Sequence, residues 1–140
     1  MDDTHHKCPL CDTVYSGFPY DDVVFTRKHH AVLGRLLDTA WAYAITGEEN
    51  YAQFAIQVLC GYSERYRKYP YHANTRWNIV WRRISGGRLF EQTLSEASSL
   101  AATIAPDYDL VHDSPAMTGN VRITIDEELI RPMLENIDKY

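Results

Sequence analysis

Two helical patterns joined by a single glycine constrain this chain more than any other feature. The first pattern predicts a helix from Arg27 to Thr46, and the second predicts a helix that Glu48 and Glu49 open and that Pro70 ends. Their apolar residues, which recur at steps of three and four, are Val32, Leu33, Leu36, Leu37, Ala40, Trp41 and Ala44, then Tyr51, Phe54, Ala55, Val58, Leu59 and Tyr62. Gly47 stands where a left-handed C-terminal cap is expected. So short a connection predicts two antiparallel neighbours, an αα-hairpin.

The second half of the chain predicts two more helices, each of which contains a proline. A third helix is predicted from Arg88, with Pro106 kinking or ending it. A fourth is predicted from Thr124, because T-I-D-E matches a capping box, with Pro132 bending the helix. Val121, Ile123 and Ile125 alternate, but three residues are a weak strand signal.

These patterns predict an all-α fold of antiparallel helical hairpins. Residues 1–26 hold glycine, prolines and acidic pairs and are predicted to be an irregular lead-in, while residues 27–140 form one helical domain. A chain of 140 residues is large enough for one core. No apolar run reaches the roughly 20 residues that a membrane-spanning helix needs. The N-terminal residues of this chain lack the pattern of a secretion signal.

Cys8 and Cys11 form a CxxC pair that follows two histidines. Thiolate and imidazole are the usual zinc ligands, so the pair is a weak candidate for a metal site. No second CxxC or HxxxH supplies the remaining ligands, and the alternative is a proline-containing turn with incidental thiols. We therefore predict no cofactor, with zinc at Cys8 and Cys11 as the exception. Cys60 is predicted to be a small buried apolar residue.

A cationic and aromatic strip spans Arg65 to Phe90 without a single Asp or Glu, although the chain carries a formal net charge of −5. Its members are Arg65, Arg67, Lys68, Arg76, Arg82, Arg83 and Arg88, with Tyr66, Tyr69, Tyr71, Trp77, Trp81 and Phe90. Such a strip suits an anionic polymer with flat faces, either acidic polysaccharide or single-stranded nucleic acid. The alternative is a solvated loop that balances the acidic remainder.

Candidate binding residues lie within this strip and just beyond it. His72, Asn74 and Arg76 alternate, so an extended backbone would point the three side chains the same way. Trp77 and Trp81 would supply the stacking surface. In the third predicted helix, Arg88, Gln92 and Ser95 fall on one stripe that could form the wall of a groove. An ordinary polar loop and an exposed side-chain pair are the alternatives.

Four segments taken together resemble the N-terminal helical domain of heparinase II/III-like polysaccharide lyases and the related alginate lyases. They are CPLCDTVYSGFPYDD, LLDTAWAYAITGEENYAQFAIQVLCGYSERYRKYP, GGRLFEQTLSEASSLAATIAPDYDLVHDS and EELIRPMLENI. The resemblance covers most of the chain in the same order. It implies part of an incomplete (α/α) toroid, which in full-length relatives precedes a β-sandwich domain. It also implies cleavage of uronic-acid polysaccharide by β-elimination.

The resemblance assigns few residues. Gln92 and Glu96 match the FxQxLxEA-like segment that borders the substrate groove, whereas Ser95 stands where relatives commonly have Asn. The catalytic Asn/His pair of such lyases is expected beyond Tyr140, so this chain is expected to be an inactive piece of a longer protein. By the same resemblance the full-length protein is expected to be periplasmic or secreted.

The resulting hypothesis is the N-terminal part of a lyase for heparin-, heparan- or alginate-like polysaccharide that supplies substrate-binding surface. The predicted substrate-binding residues are Gln92, Arg88, Glu96, His72, Asn74, Arg76, Trp77 and Trp81. The alternative is a non-catalytic helical module that binds acidic glycans. Nucleic-acid binding is the third hypothesis, and the overall acidity counts against it.

Overall fold

The computed structural model describes residues 4–73, 86–90 and 92–139. Within them the helical hairpin predicted from the sequence is present as α1 (Tyr20–Thr46) and α2 (Glu49–Arg65). Gly47 has φ 69° and its N–H donates to the Tyr43 carbonyl at 2.7 Å, which is the left-handed cap that the pattern predicts. The buried faces of both helices meet in one apolar core.

The N-terminal segment is more regular than the sequence indicates. Two-residue strands, β1 (His6–Lys7) and β2 (Val14–Tyr15), pair antiparallel around the CxxC turn. Helix α1 then begins at Tyr20, so the start predicted at Arg27 is wrong. Phe25 stabilises the added turns, because its ring packs against His29 at 4.3 Å and Tyr69 at 5.6 Å between ring centroids.

Neither proline in the second half ends its helix. Helix α3 (Thr93–Ser99) continues through a π-helical turn at Leu100–Ile104 into α4 (Ala105–Leu110). A proline ring collides with the carbonyl four residues earlier, and a widened turn at that place relieves the collision. The wide turn before Pro106 therefore lets the chain stay helical.

The last helix repeats this arrangement but begins earlier than predicted. Helix α5 (Gly119–Ile125) passes through a π-helical turn at Asp126–Ile130 into α6 (Arg131–Asp138), with Pro132 just after the wide turn. Thr118 is the N-cap, and its hydroxyl accepts a hydrogen bond from the Val121 N–H at 3.4 Å.

The capping box predicted at Thr124 is wrong, and the weak strand signal at 121–125 lies in a helix. Thr124 lies inside α5, and its hydroxyl donates to the Asn120 carbonyl at 2.9 Å. The positions that alternate in sequence all lie within one short helix. Helical context outweighs the β-branched residues here.

A second small strand pair lies within the cationic and aromatic strip. β3 (His72–Ala73) pairs antiparallel with β4 (Gly86–Gly87), with His72 opposite Gly87. A Cβ on Gly86 would lie 2.0 Å from the His72 carbonyl oxygen, and one on Gly87 would lie 2.5 Å from Glu96 Oε2. Only glycine allows this close approach.

Together these elements confirm the all-α class. In the described part of the chain the core is built from one side of each helix, and the strands are two residues long. No helix in that part is long and apolar enough to cross a membrane. Closure into a toroid stays a prediction, as does the division of the chain at residue 27.

Candidate functional site

The run Arg27-Lys28-His29-His30 on α1 divides its side chains between two grooves. Arg27 and His30 are three residues apart and line one groove, while Lys28 and His29 line the other. We call the first the Gln92 cleft and the second the Tyr62 groove. Both lie beside the N-terminal half of α1.

The Gln92 cleft has a volume of about 320 Å³ and runs between α1 and the start of α3. Its lining residues are Val23, Thr26, Arg27, His30, Phe90, Gln92 and Ser95. The exposed His30 ring packs against the buried Phe90 ring, with centroids 4.6 Å apart and planes 37° from parallel. Among the described residues that line the cleft none is acidic, so its charge comes from Arg27.

Gln92 enters this cleft because it stands just ahead of α3. Its backbone is extended, with φ −126° and ψ 138°, and its carbonyl accepts the Glu96 N–H at 3.0 Å. The side chain is exposed in the cleft, as is that of Arg27. An amide and a guanidinium on facing elements can hydrogen-bond one carboxylate between them.

Glu96 is fully buried, and its carboxylate organises the turn that carries Gln92. Oε1 accepts the Tyr66 hydroxyl at 2.5 Å and the Arg88 N–H at 3.2 Å, and Oε2 accepts the Leu89 N–H at 3.1 Å. Burial, followed by the Glu96 charge, raises the pKa of Tyr66. The carboxylate thus satisfies backbone groups of the segment that leads into α3.

Arg88 does not share a helical stripe with Gln92 and Ser95, so that prediction is wrong. It precedes α3, and its Nη1 donates to the carbonyls of Tyr69 at 2.7 Å and Arg67 at 3.0 Å. The Arg88 N–H donates to the buried Glu96 carboxylate, so the backbone at Arg88 forms a turn, and the helix begins only at Thr93. Gln92 and Ser95 do lie together in the cleft.

The cationic and aromatic strip divides among several places. Arg65 and Tyr69 line the Tyr62 groove, of about 520 Å³, with Lys28. Arg67 and Arg88 line another groove, of about 240 Å³, against α6. Tyr66 and Phe90 are buried in the core. The described members of the strip therefore do not form one binding surface.

Four predicted binding residues lie outside the described part of the chain. They are Asn74, Arg76, Trp77 and Trp81. The shared direction predicted for His72, Asn74 and Arg76 stays a prediction. His72 itself is largely buried, with Nδ1 3.1 Å from Asp22 Oδ1. Its Nε2 has no hydrogen-bond partner among the described residues.

A buried histidine that the sequence analysis did not select borders the Tyr62 groove. His29 Nδ1 and the Tyr62 hydroxyl share a hydrogen bond of 2.9 Å. Burial lowers the pKa of His29 to about 4, with smaller contributions from His72 and His30. Burial also raises the pKa of Tyr62. Both groups are therefore neutral near pH 7, and the cations beside them are Lys28 and Arg65.

One of the two histidines before the CxxC pair contacts α1. His6 Nε2 lies 2.8 Å from Asp21 Oδ1, which ties β1 to the first turn of α1. Across the described ranges no three or more His, Cys, Asp or Glu side chains form a group that could hold a metal ion. Cys60 is half-buried against the core, and burial raises its pKa.

Comparison with known proteins gives one informative similarity. Over 108 residues, which are 77% of this chain, the sequence is 31% identical to an alginate lyase of Stenotrophomonas maltophilia (strain K279a). The matched region is 13% of the length of that lyase. No model of a protein family matches the chain, and no solved structure matches it. The similarity supports a polysaccharide lyase-like relationship.

Proposed function

We propose that this chain is the helical, substrate-binding part of a polysaccharide lyase that acts on uronate polysaccharide such as alginate. The similarity to an alginate lyase supports the class of enzyme. The observation that carries the binding role is the Gln92 cleft, where Gln92, selected from the sequence, faces Arg27 and His30 of α1. Heparin-like substrates and a periplasmic or secreted location remain predictions.

The chemistry of β-elimination explains why these residue types suit such a cleft. A base removes the proton at C5 of the uronate, and negative charge builds on the adjacent carboxylate as the proton leaves. Amide and guanidinium donors aimed at that carboxylate stabilise the charge. Gln92 and Arg27 supply one donor of each kind, and the exposed His30 ring, which packs on Phe90, offers a face for a sugar ring.

The other predicted residues act indirectly in this proposal. Glu96 positions Gln92, because its carboxylate holds the backbone at Arg88 and Leu89. Arg88 fixes the chain between α2 and β3 through the carbonyls of Arg67 and Tyr69. Both are therefore positioning residues, and neither is assigned a catalytic role. The acid and base of the reaction are not assigned to any described residue.

Affinity electrophoresis in gels that contain alginate tests the binding role. Retardation in alginate, with none in neutral dextran or in methyl-esterified polyuronate, is the expected result, since the esters lack the carboxylate charge. Arg27→Ala and Gln92→Ala should each weaken binding about fivefold, or ~1 kcal/mol. Arg35→Ala is the matched control, because Arg35 is an exposed arginine of the same helix outside the cleft.

Two results would contradict the proposal. Equal retardation in alginate and dextran would remove the carboxylate from the recognition. Equal effects of Arg27→Ala and Arg35→Ala would remove the cleft from it. Ultraviolet absorbance for unsaturated uronate product, measured on the same samples, separates binding from cleavage. Rapid product formation by the purified chain would contradict the prediction that the catalytic residues lie outside it.

A further inference from the structure

The turn between β1 and β2 brings two cysteine side chains together at the surface. The Cys8 N–H donates to the Thr13 carbonyl at 2.8 Å, and the Asp12 N–H donates to the Cys8 carbonyl at 3.0 Å. Asp12 has φ 60°, a left-handed conformation that asparagine and aspartate tolerate better than most residues. This backbone closes a tight turn with Cys8 and Cys11 at its two sides.

The turn brings the Cys11 thiol close to Thr13 and to Cys8. The Cys11 sulfur lies 3.3 Å from Thr13 Oγ1 and is also within hydrogen-bonding reach of the Cys8 thiol. These contacts lower the pKa of Cys11 to about 7, and the contact with Thr13 has the largest effect. Cys11 is exposed and Cys8 is half-buried. A solvent-accessible thiol with a large thiolate fraction beside a second thiol has the arrangement of an attacking and a resolving cysteine.

Cys60 provides the contrast within the same chain. It lies in α2 against the core, and burial raises its pKa above the ordinary value of 9.0. Its reactivity should therefore be low at neutral pH. The difference between Cys11 and Cys60 comes from their surroundings, since both are free thiols.

We propose that Cys8 and Cys11 form a thiol–disulfide exchange site that reacts with small disulfides and closes to an intramolecular disulfide. The hairpin that carries the pair is fixed to α1 through His6 and Asp21, so the site is held on the folded domain. This proposal is independent of the glycan cleft, which is built from other residues.

The exchange balances with a small disulfide such as oxidised glutathione as the oxidant. The Cys11 thiolate attacks one sulfur of the glutathione disulfide, forms a mixed disulfide, and releases one glutathione thiolate. Cys8 loses its proton to water and attacks the Cys11 sulfur, which releases the second glutathione thiolate. The two cysteines lose two electrons and two protons, and one glutathione disulfide becomes two glutathione thiols.

Equilibration of the full chain in glutathione redox buffers tests this proposal. After rapid acid quenching and alkylation, mass spectrometry should show a species that has lost two hydrogens, with Cys60 alkylated and Cys8 and Cys11 joined. The fraction of this species should follow the ratio of oxidised glutathione to the square of reduced glutathione. The Cys60→Ser variant is the control and should give the same curve.

Variants of the turn separate the two roles. Cys8→Ser should accumulate a mixed disulfide on Cys11, because the resolving thiol is gone. Thr13→Val should slow alkylation of Cys11 near pH 7 by about fivefold, the change in thiolate fraction for a rise of about one pKa unit. Alkylation of Cys60 should not change.

Three outcomes would overturn the proposal. They are a persistent mixed disulfide in the unaltered chain, Cys11 reacting no faster than Cys60, and binding of one zinc ion per chain that protects both thiols from alkylation. The last would assign the pair to metal binding instead. Formation of the intramolecular disulfide with the expected dependence on glutathione would establish the exchange site.

Discussion

Asp107 is the side chain whose replacement should change stability most clearly. It is fully buried in α4, and neither carboxylate oxygen has a hydrogen-bond partner among the described residues. Burial raises its pKa from 3.8 to about 7. A buried carboxylate without partners resists ionisation because the charged form loses its hydration. We expect Asp107→Asn, which keeps the shape and removes the charge, to stabilise the protein at neutral and higher pH.

The size of the effect follows from the two pKa values. The folded protein holds a proton on Asp107 up to about pH 7, whereas the unfolded chain releases it near 3.8. Between these values the folded state binds more protons, so the free energy of unfolding falls as the pH rises. A shift of this size corresponds to about 4 kcal/mol at about pH 8, at 1.36 kcal/mol per pKa unit. Near pH 4 the penalty disappears.

Urea unfolding followed by circular dichroism, at several pH values from about 4 to about 8, measures this difference. The free energy of unfolding of Asp107→Asn should exceed that of the unaltered chain by about 4 kcal/mol at the highest pH. At the lowest pH the two free energies should agree within about 1 kcal/mol. Asp109→Asn is the matched control, because Asp109 is an exposed carboxylate in the same helix. It should change stability by less than about 0.5 kcal/mol.

His29 also makes the free energy of unfolding depend on pH between about 4 and 6.5, in the direction opposite to Asp107. The difference in that free energy between Asp107→Asn and the unaltered chain cancels the contribution of His29. The reasoning fails if that difference is constant from pH 4 to pH 8. It also fails if Asp107→Asn is destabilising throughout, since the carboxylate would then have a stabilising ionic partner.

Three further predictions concern other buried or capping groups. Glu96→Ala should lower the free energy of unfolding by about 4 kcal/mol, because it leaves two backbone N–H groups and a tyrosine hydroxyl unpaired. In the same urea titration Glu64→Ala, on the surface of α2, should change it by less than about 0.5 kcal/mol. Thr118→Ala should cost about 1 kcal/mol through loss of the N-cap, and Thr124→Ala should cost less, as their thermal unfolding midpoints will show. The pKa of His29 is about 4 in the folded protein and 6.5 in the unfolded chain, so the free energy of unfolding should fall as the pH drops from 6.5 to 4. The fall should be about 3 kcal/mol larger than in His29→Gln. Equal pH dependence of the two free energies, measured by urea unfolding, would contradict the buried, neutral histidine.

The sequence predicts the first hairpin well because its signals are local. A glycine cap and two apolar faces are enough to place the connection at Gly47. The start of α1 could not be placed, because Val23, Val24, Phe25 and Thr26 have modest helix propensity. Contacts of Phe25 with residues far along the chain stabilise those turns, and a local pattern contains no trace of such contacts.

The binding cleft is only half visible in the sequence for a similar reason. Gln92 was selected, whereas Arg27 and His30 come from a helix that lies far away in sequence. Their spacing of three residues was the available signal for a shared face. Glu96 gave no sign of burial, because a carboxylate on a helix is usually exposed. The adjacent Gly86-Gly87 pair was the hint, since Gly87 leaves room for that carboxylate.

The pairing of His72 with Gly87 has a consequence for how this protein can vary. Asp22 holds one strand of this pair through His72, and Gly87 in the other strand leaves the space that Glu96 occupies. Positions 86 and 87 therefore accept only glycine while the His72 carbonyl and the Glu96 carboxylate keep their places.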